Sequence, residues 1–330
     1  MNERPQPADI EALVVGVRER RVRDVARAIT LVENQSQVGR TLMSALIRDS
    51  GGSHRARTIG LTGAPGVGKS TMTAALIAAY RGAGLSVGVL AVDPSSPFSG
   101  GALLGDRIRM QDHSGDSDVF IRSMASRGHL GGLAATAGQV LRVYDAAGFD
   151  VVLIETVGVG QSEVEIAAAA DTTVVLLAPG MGDGIQAAKA GILEIGDVFV
   201  VNKADREGAQ GTARDLRQMI ALATDQGPTS WIPPVVVSIA STGEGIPDVV
   251  AAIDGHHAWA RDHGELERRR SQLAREEVVS ELLGMVRAHT AVEPASSLVR
   301  DLAVDVASGR TTVDDAADRL WQKMRSQAWE

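Results

Sequence analysis

The 330-residue sequence predicts a doubly wound α/β domain built on a mostly parallel sheet, with helical extensions at both ends. Three observations predict it. Seven short β-branched runs in the middle of the chain are apolar without polar alternation, which suits strands buried on both faces of a parallel sheet. Longer Ala-rich stretches with helical spacing alternate with those runs. Both ends of the chain recur at three and four residues and contain no such runs.

Residues 1–50 form the N-terminal helical extension, read from "IEALVVGV", "VARAITLV" and "VGRTLMSALI". A hydrophilic Gly/Ser linker, "DSGGSHRAR" at 49–57, separates it from the central domain, 51–254. The strands of that domain are "TIGLTG", "SVGVLAVD", "DVFIRS", "DVVLIE", "TTVVLLA", "DVFVVN" and "PVVVS". Residues 255–330 return to helical spacing, through Leu266, Leu273, Val278, Leu282 and Met285, then Val313, Ala317, Leu320 and Met324.

Composition removes several classes of function. Hydrophobic residues are 44% and charged residues 22%, as in an ordinary globular protein. No apolar run approaches the roughly 18 residues that span a bilayer. The N-terminus lacks the basic-then-apolar order of a secretory signal, so the expectation is a cytoplasmic protein without a membrane partner. The absence of cysteine excludes disulfides, thiolate nucleophiles and Cys-based metal sites. A net charge of −8 argues against nucleic acid as a partner. The basic runs "RERRVR" near residue 20 and "ERRR" at 267–270 read as solvated helix faces. His256, His257 and His263 read as a polar linker or helix surface in preference to a metal site.

Of 33 basic residues only four are lysine: Lys69, Lys189, Lys203 and Lys323. An ammonium and a guanidinium are interchangeable on a surface but not at a phosphate or across a ring. Lysines kept against such a bias are expected inside motifs.

The first strand runs into "GAPGVGKST" at 63–71. Gly63, Gly68, Lys69 and Ser70 satisfy G-x-x-x-x-G-K-[ST], with Ala64, Pro65, Gly66 and Val67 between them and Thr71 after. Consecutive backbone N–H groups in such a P-loop curl around a phosphate, and the following helix adds the positive end of its dipole. Lys69 would reach the β- and γ-phosphates, and the Ser70 hydroxyl would hold magnesium. The sixth strand ends in "NKAD", Asn202 to Asp205. Guanine presents two adjacent donors, which one acceptor-only carboxylate, Asp205, takes together, whereas adenine would leave it unpaired. The Lys203 stem can lie over the ring, and Asn202 can tie the loop to the base and the P-loop. "SIAS" at 238–241, with Ser238, Ile239 and Ala240, could offer a backbone N–H to guanine O6. The expected ligands are GTP and GDP with Mg²⁺.

The fourth strand ends in "ETVGVGQSE", where an acid is followed three residues later by Gly158. That spacing suits a γ-phosphate sensor, in which the acid supports magnesium and the glycine N–H meets the terminal phosphate. Most GTP-binding proteins place Asp at the acid position; here it is Glu155. Asp93 and Asp106, in "DPSSPFSGGALLGDRIRM", are further magnesium or water-orienting carboxylates, their order undecided. Gln161 could orient water but stands three residues beyond Gly158. No arginine finger is evident, so the expectation is slow hydrolysis stimulated by a partner. The stretch 178–197, with Gly180, Gly182 and Gly184, reads either as an ordinary strand–helix connection or as a loop that moves.

With these motifs the chain resembles the MeaB/ArgK family of GTPases, which includes the human protein of methylmalonic aciduria type A. The resemblance spans nearly the whole chain and is carried by "GAPGVGKST", "DPSSPFSGGALLGDRIRM", "RGHLGG", "ETVGVGQSE", "PGMGDGIQAAKAGILEIGD" and "VNKAD". Glu in place of Asp in "ETVGVGQSE" marks the wider group of metal- and cofactor-chaperone GTPases. The resemblance implies a SIMIBI-type G domain and a chaperone of adenosylcobalamin-dependent methylmalonyl-CoA mutase that gates cofactor loading and protects or reactivates the mutase. It also implies a homodimer through the C-terminal helices, and a partner-sensing switch at 178–189 containing Gly182, Asp183 and Lys189. It places Lys69, Ser70, Asp93, Asp106 and Glu155 in the phosphate and magnesium site. Three rivals remain, the first two being a metallochaperone GTPase, against which the absent cysteines count, and a P-loop kinase of an amino acid, against which "NKAD" counts. A protein that binds GTP without turnover is a third, opposed by the intact Lys69, Ser70 and Glu155 set.

Overall fold

All seven apolar runs become strands of one sheet: β1 (Arg57–Gly63), β2 (Val87–Pro94), β3 (Val119–Ser126), β4 (Val151–Thr156), β5 (Thr172–Leu177), β6 (Val198–Val201) and β7 (Val235–Val237). The computed structural model describes residues 7–34, 36–49, 55–94, 115–126, 132–156, 170–180, 193–223, 230–291 and 295–327. The strand order is β3-β2-β4-β1-β5-β6-β7, and every pairing is parallel. Every residue of β4, β5 and β6 is buried, which is why these runs show no polar alternation.

Helices cover both faces. On one, α1 (Pro7–Arg18), α2 (Val22–Glu33), α3 (Gln37–Asp49) and α5 (Gly132–Ala146) share a core with the sheet that includes Ile29, Leu42, Tyr144, Phe149 and Ile154. Val25, Ala28, Ile29 and Val32 give α2 a buried stripe at three-and-four spacing. On the other face, α4 (Lys69–Gly82) and α8 (Ile246–Asp262) set Met72, Leu76, Val249 and Ile253 against Ile59, Leu61, Leu153 and Val174. After the short α6 (Leu193–Ile195), α7 (Ala209–Ala223) packs Ala213, Leu216 and Ile220 on Val175, Leu177, Phe199 and Val201. Successive residues of β5 thus face opposite layers, as the period of two requires.

The chain divides into two units, Met1–Ala274 and Arg275–Glu330. The division falls inside α9 (Glu265–Thr290), downstream of the 254/255 boundary read from the sequence. The reason is packing: past residue 254, His256 and Ala260 of α8 are fully buried, and Arg269 and Arg270 of α9 grip Asp197 and Asp171 of the sheet domain. The second unit comprises the rest of α9, α10 (Ala295–Ala307) and α11 (Val313–Gln327). No helix among the described residues is long and apolar enough to cross a membrane.

Three readings of charged residues need correction. Arg20 is not on a solvated face: it donates to Ala147 O (3.0 Å), Gly148 O (2.7 Å) and Asp118 Oδ1 (3.1 Å), with its guanidinium 5.3 Å from the Phe149 ring centroid. Arg269 and Arg270 are likewise engaged. Arg269 grips Asp197 at 2.7 and 2.8 Å, and Arg270 grips Asp171 at 2.8 and 2.7 Å. Those aspartates stand at the starts of β6 and β5, where they also accept the N–H groups of Thr173 (2.8 Å) and Thr58 (3.0 Å). His256, expected in a linker or on a surface, is fully buried. Its Nδ1 lies 2.9 Å from Thr172 Oγ1 and its Nε2 3.2 Å from Asp197 Oδ1, so the helix α8 that carries it faces the sheet.

Candidate nucleotide site

β1 lies at the centre of the sheet between β4 and β5, and its C-terminal end opens into the loop that begins α4. Ligands of doubly wound folds bind at this edge, where the strand order reverses. Two glycines make the loop possible. Gly63 has φ 144° and a Cβ there would stand 2.3 Å from Leu176 O; Gly68 has φ 97° and a Cβ would stand 2.5 Å from Asn202 Nδ2. Gly68→Ala is therefore expected to cost about 2 kcal/mol, from the left-handed backbone and the clash together. Thermal unfolding checks it; a melting temperature equal to wild type would refute the close approach. Ala64 is half-buried, Pro65 and Gly66 are exposed, Val67 is buried and Thr71 is exposed, so the loop's outer rim faces solvent.

The first turn of α4 meets the end of β4. Ser70 Oγ donates to Glu155 Oε1 at 2.6 Å, and Thr73 Oγ1 donates to Glu155 Oε2 at 2.9 Å. Glu155 is only 1% exposed. Its position follows from register: it pairs with Leu61 of β1 and Ala91 of β2, one residue before β4 ends. The alternation that sends Val151 and Leu153 into the core under α4 sends its carboxylate to the same side. The buried Lys69 folds back to its own loop, Nζ donating to Gly63 O (2.7 Å) and Ala64 O (3.3 Å). A hydroxyl, a buried carboxylate and an ammonium thus converge at a helix N-terminus. That donor set suits a polyphosphate with a hard cation such as Mg²⁺. Thr73 escaped the sequence reading, although its place three residues after Ser70 on a predicted helix puts both on one face.

A second loop closes over the first. Asn202 Nδ2 donates to Val67 O (2.9 Å), while its Oδ1 accepts the Ala240 N–H (3.0 Å) and lies 3.5 Å from Ser238 Oγ. One amide therefore joins three loops: the P-loop, "NKAD" and "SIAS". Lys203 sits at φ 58° and its Nζ donates to Gly66 O. A left-handed non-glycine residue is strained, and such strain gathers at functional loops. Asp205 is exposed, beyond these contacts. The N–H groups of Ser238, Ile239 and Ala240 are committed within the protein, to Val201 O, Glu244 O and Asn202 Oδ1.

The backbone of Asp93 lies at the C-terminal end of β2, beside the end of β4 and opposite Ala125. Asp106, Gly158, Gln161, Gly182, Asp183 and Lys189 lie outside the described residues. Among the described residues no group of three or more His, Cys, Asp or Glu could hold a metal ion.

The family model described as "Methylmalonyl Co-A mutase-associated GTPase MeaB" matches residues 25–293. The chain belongs to the MeaB family. A GTPase of Pyrococcus horikoshii is 44% identical over 322 residues, which cover 97% of this chain and 99% of that protein. The mitochondrial methylmalonic aciduria type A homolog of Caenorhabditis elegans is 31% identical over 314 residues, 90% of this chain and 78% of that protein. Among solved structures, one described as a LAO/AO transport system kinase superposes with a TM-score of 0.68 at 24% identity. It covers 98% of this chain and 100% of its own, a likeness of fold. This MeaB-family chain is a P-loop GTPase.

Proposed function

We propose that this GTPase is a cytoplasmic chaperone of adenosylcobalamin-dependent methylmalonyl-CoA mutase, gating cofactor loading and protecting or reactivating the mutase. The observation that carries the reading is the match of residues 25–293 to a family described as associated with that mutase. The site supports it with chemistry suited to a timed switch. Lys69 and the first-turn N–H groups of α4 bind the β- and γ-phosphates. Ser70 and Glu155, with Asp93 and Asp106, hold Mg²⁺, which when bound neutralises charge developing on the phosphates. Asp205 reads guanine, Lys203 covers the ring, and Asn202 keeps both loops in register. Gly158 and Gln161 serve the terminal phosphate and the attacking water. With no positively charged finger among these residues, turnover alone is slow and a partner raises it. Gly182, Asp183 and Lys189 form the segment through which the mutase is sensed.

The C-terminal helices join two copies. Val278, Val279, Leu282, Leu283 and Met285 of α9 are each at least half exposed, an apolar face of the kind that a second copy covers.

The purified protein should hydrolyse GTP slowly, with a several-fold rise on adding stoichiometric methylmalonyl-CoA mutase and a return toward the basal rate in Lys189→Ala. A rate indifferent to the mutase would leave the GTPase standing and remove the chaperone reading.

A further inference from the structure

A glutamate at the end of β4 sets a problem that an aspartate would not. It has one more rotatable bond, and here its carboxylate is buried, 1% exposed. A buried anion needs hydrogen bonds, and one held at a single oxygen can still swing about its terminal torsion. Two holds, one on each oxygen, come from one helix. Ser70 Oγ donates to Oε1 at 2.6 Å and Thr73 Oγ1 to Oε2 at 2.9 Å, from positions three apart on the same face of α4.

Thr73 is wholly buried, so no solvent competes for its hydroxyl. Two acceptors do: Glu155 Oε2, and Lys69 O at 3.1 Å in its own helix. The bond to Lys69 O is a common habit of helical threonine. A hydroxyl has one proton to donate, and of the two acceptors Glu155 Oε2 is the nearer, at 2.9 Å against 3.1 Å.

We propose that Thr73 is a positioning residue for the phosphate and magnesium site. Its hydroxyl pins Glu155 Oε2, which leaves Oε1 directed at the Ser70 hydroxyl and at the cation that pair would hold. The proposal rests on the reading of Ser70 and Glu155 as the magnesium site. Thr73 itself touches neither nucleotide nor ion.

Two variants separate the hydroxyl from the methyl. Thr73→Val keeps the shape and removes the donor; Thr73→Ser keeps the donor and removes the methyl. Release of fluorescent GDP is followed against Mg²⁺ concentration. Thr73→Val should raise the Mg²⁺ concentration for half-maximal retention about tenfold, the loss of one charge-assisted hydrogen bond. GDP affinity in EDTA should stay within about twofold, because the contacts to nucleotide are untouched. Thr73→Ser should restore the wild-type midpoint. Equal midpoints in Thr73→Val and wild type overturn the proposal, as does a defect in Thr73→Ser with Thr73→Val normal, the signature of packing. In the protein free of metal and nucleotide, Thr73→Val, Glu155→Gln and the double variant form a cycle on melting temperature. The double variant should lose less than the sum of the two single losses. Additive losses overturn the contact. Wild-type GDP retention that ignores Mg²⁺ would sink the metal reading of Ser70 and Glu155, and the cycle would still decide the contact.

Discussion

Asp205→Asn is expected to weaken GTP binding by roughly two to four orders of magnitude, since each hydrogen bond to a charged group contributes about 1.5–3 kcal/mol and guanine offers two donors. The asparagine amide adds a second penalty, because its NH₂ group would face a donor on the base. Xanthine carries an oxygen where guanine carries its amino group, so the same amide suits it. XTP should therefore bind the variant better than it binds wild type. Asp205 is exposed, and the melting temperature should not move. Fluorescent-nucleotide titrations with GTP and XTP measure both arms. Unchanged GTP affinity in the variant would show that the base is read elsewhere.

Arg269→Ala is expected to cost about 3 kcal/mol of stability, a fall in melting temperature of roughly 6–12 °C. Asp197 is 5% exposed and shares its two oxygens among Arg269, the Thr173 N–H and His256. Removing the guanidinium leaves that carboxylate buried with its strongest partner gone, which is costlier than the pair is stabilising. Burial pushes the Asp197 carboxyl up, but the adjacent His256 ring and the hydrogen bonds from Arg269 outweigh burial, and the net direction is down. The sign follows: a carboxyl lowered in the folded state stabilises above its unfolded value of about 3.9. That contribution fades as pH falls from about 4 through the lowered value. Wild type should lose stability in that window, and Arg269→Ala should lose less there, having less to lose. Chemical denaturation at pH 7 and pH 3 tests both. Equal midpoints for the two proteins at pH 7 would refute the pair's importance.

The sheet was legible because its runs are buried on both faces, so each strand announces itself by apolar continuity, as in "DVVLI" and "VFVV". The P-loop was legible for a different reason: "GAPGVGKST" encodes a backbone shape, and the left-handed Gly63 and Gly68 are local properties. Arg269 and Arg270 were not legible. Charge on a helix says nothing of what stands across from it, and Asp171 and Asp197 lie far away in sequence at the starts of two strands. His256 was misread similarly, since the groups it faces, Thr172 and Asp197, are far from it in sequence. Thr73 was missed because its partner is reached only through the register of β4 against β1.

The placement of β1 bears on how the protein is made. This central strand has no neighbour from its own stretch of sequence. Its first partner begins at Val151 and its second at Thr172. A ribosome adding about 5–20 residues per second therefore synthesises β1 some 5–20 s before anything exists to pair with it. The nascent chain carries β1 without its native partners through that interval. Insertions between Gly63 and Val151 would lengthen the exposure, whereas a C-terminal truncation beyond β7 would leave it unchanged.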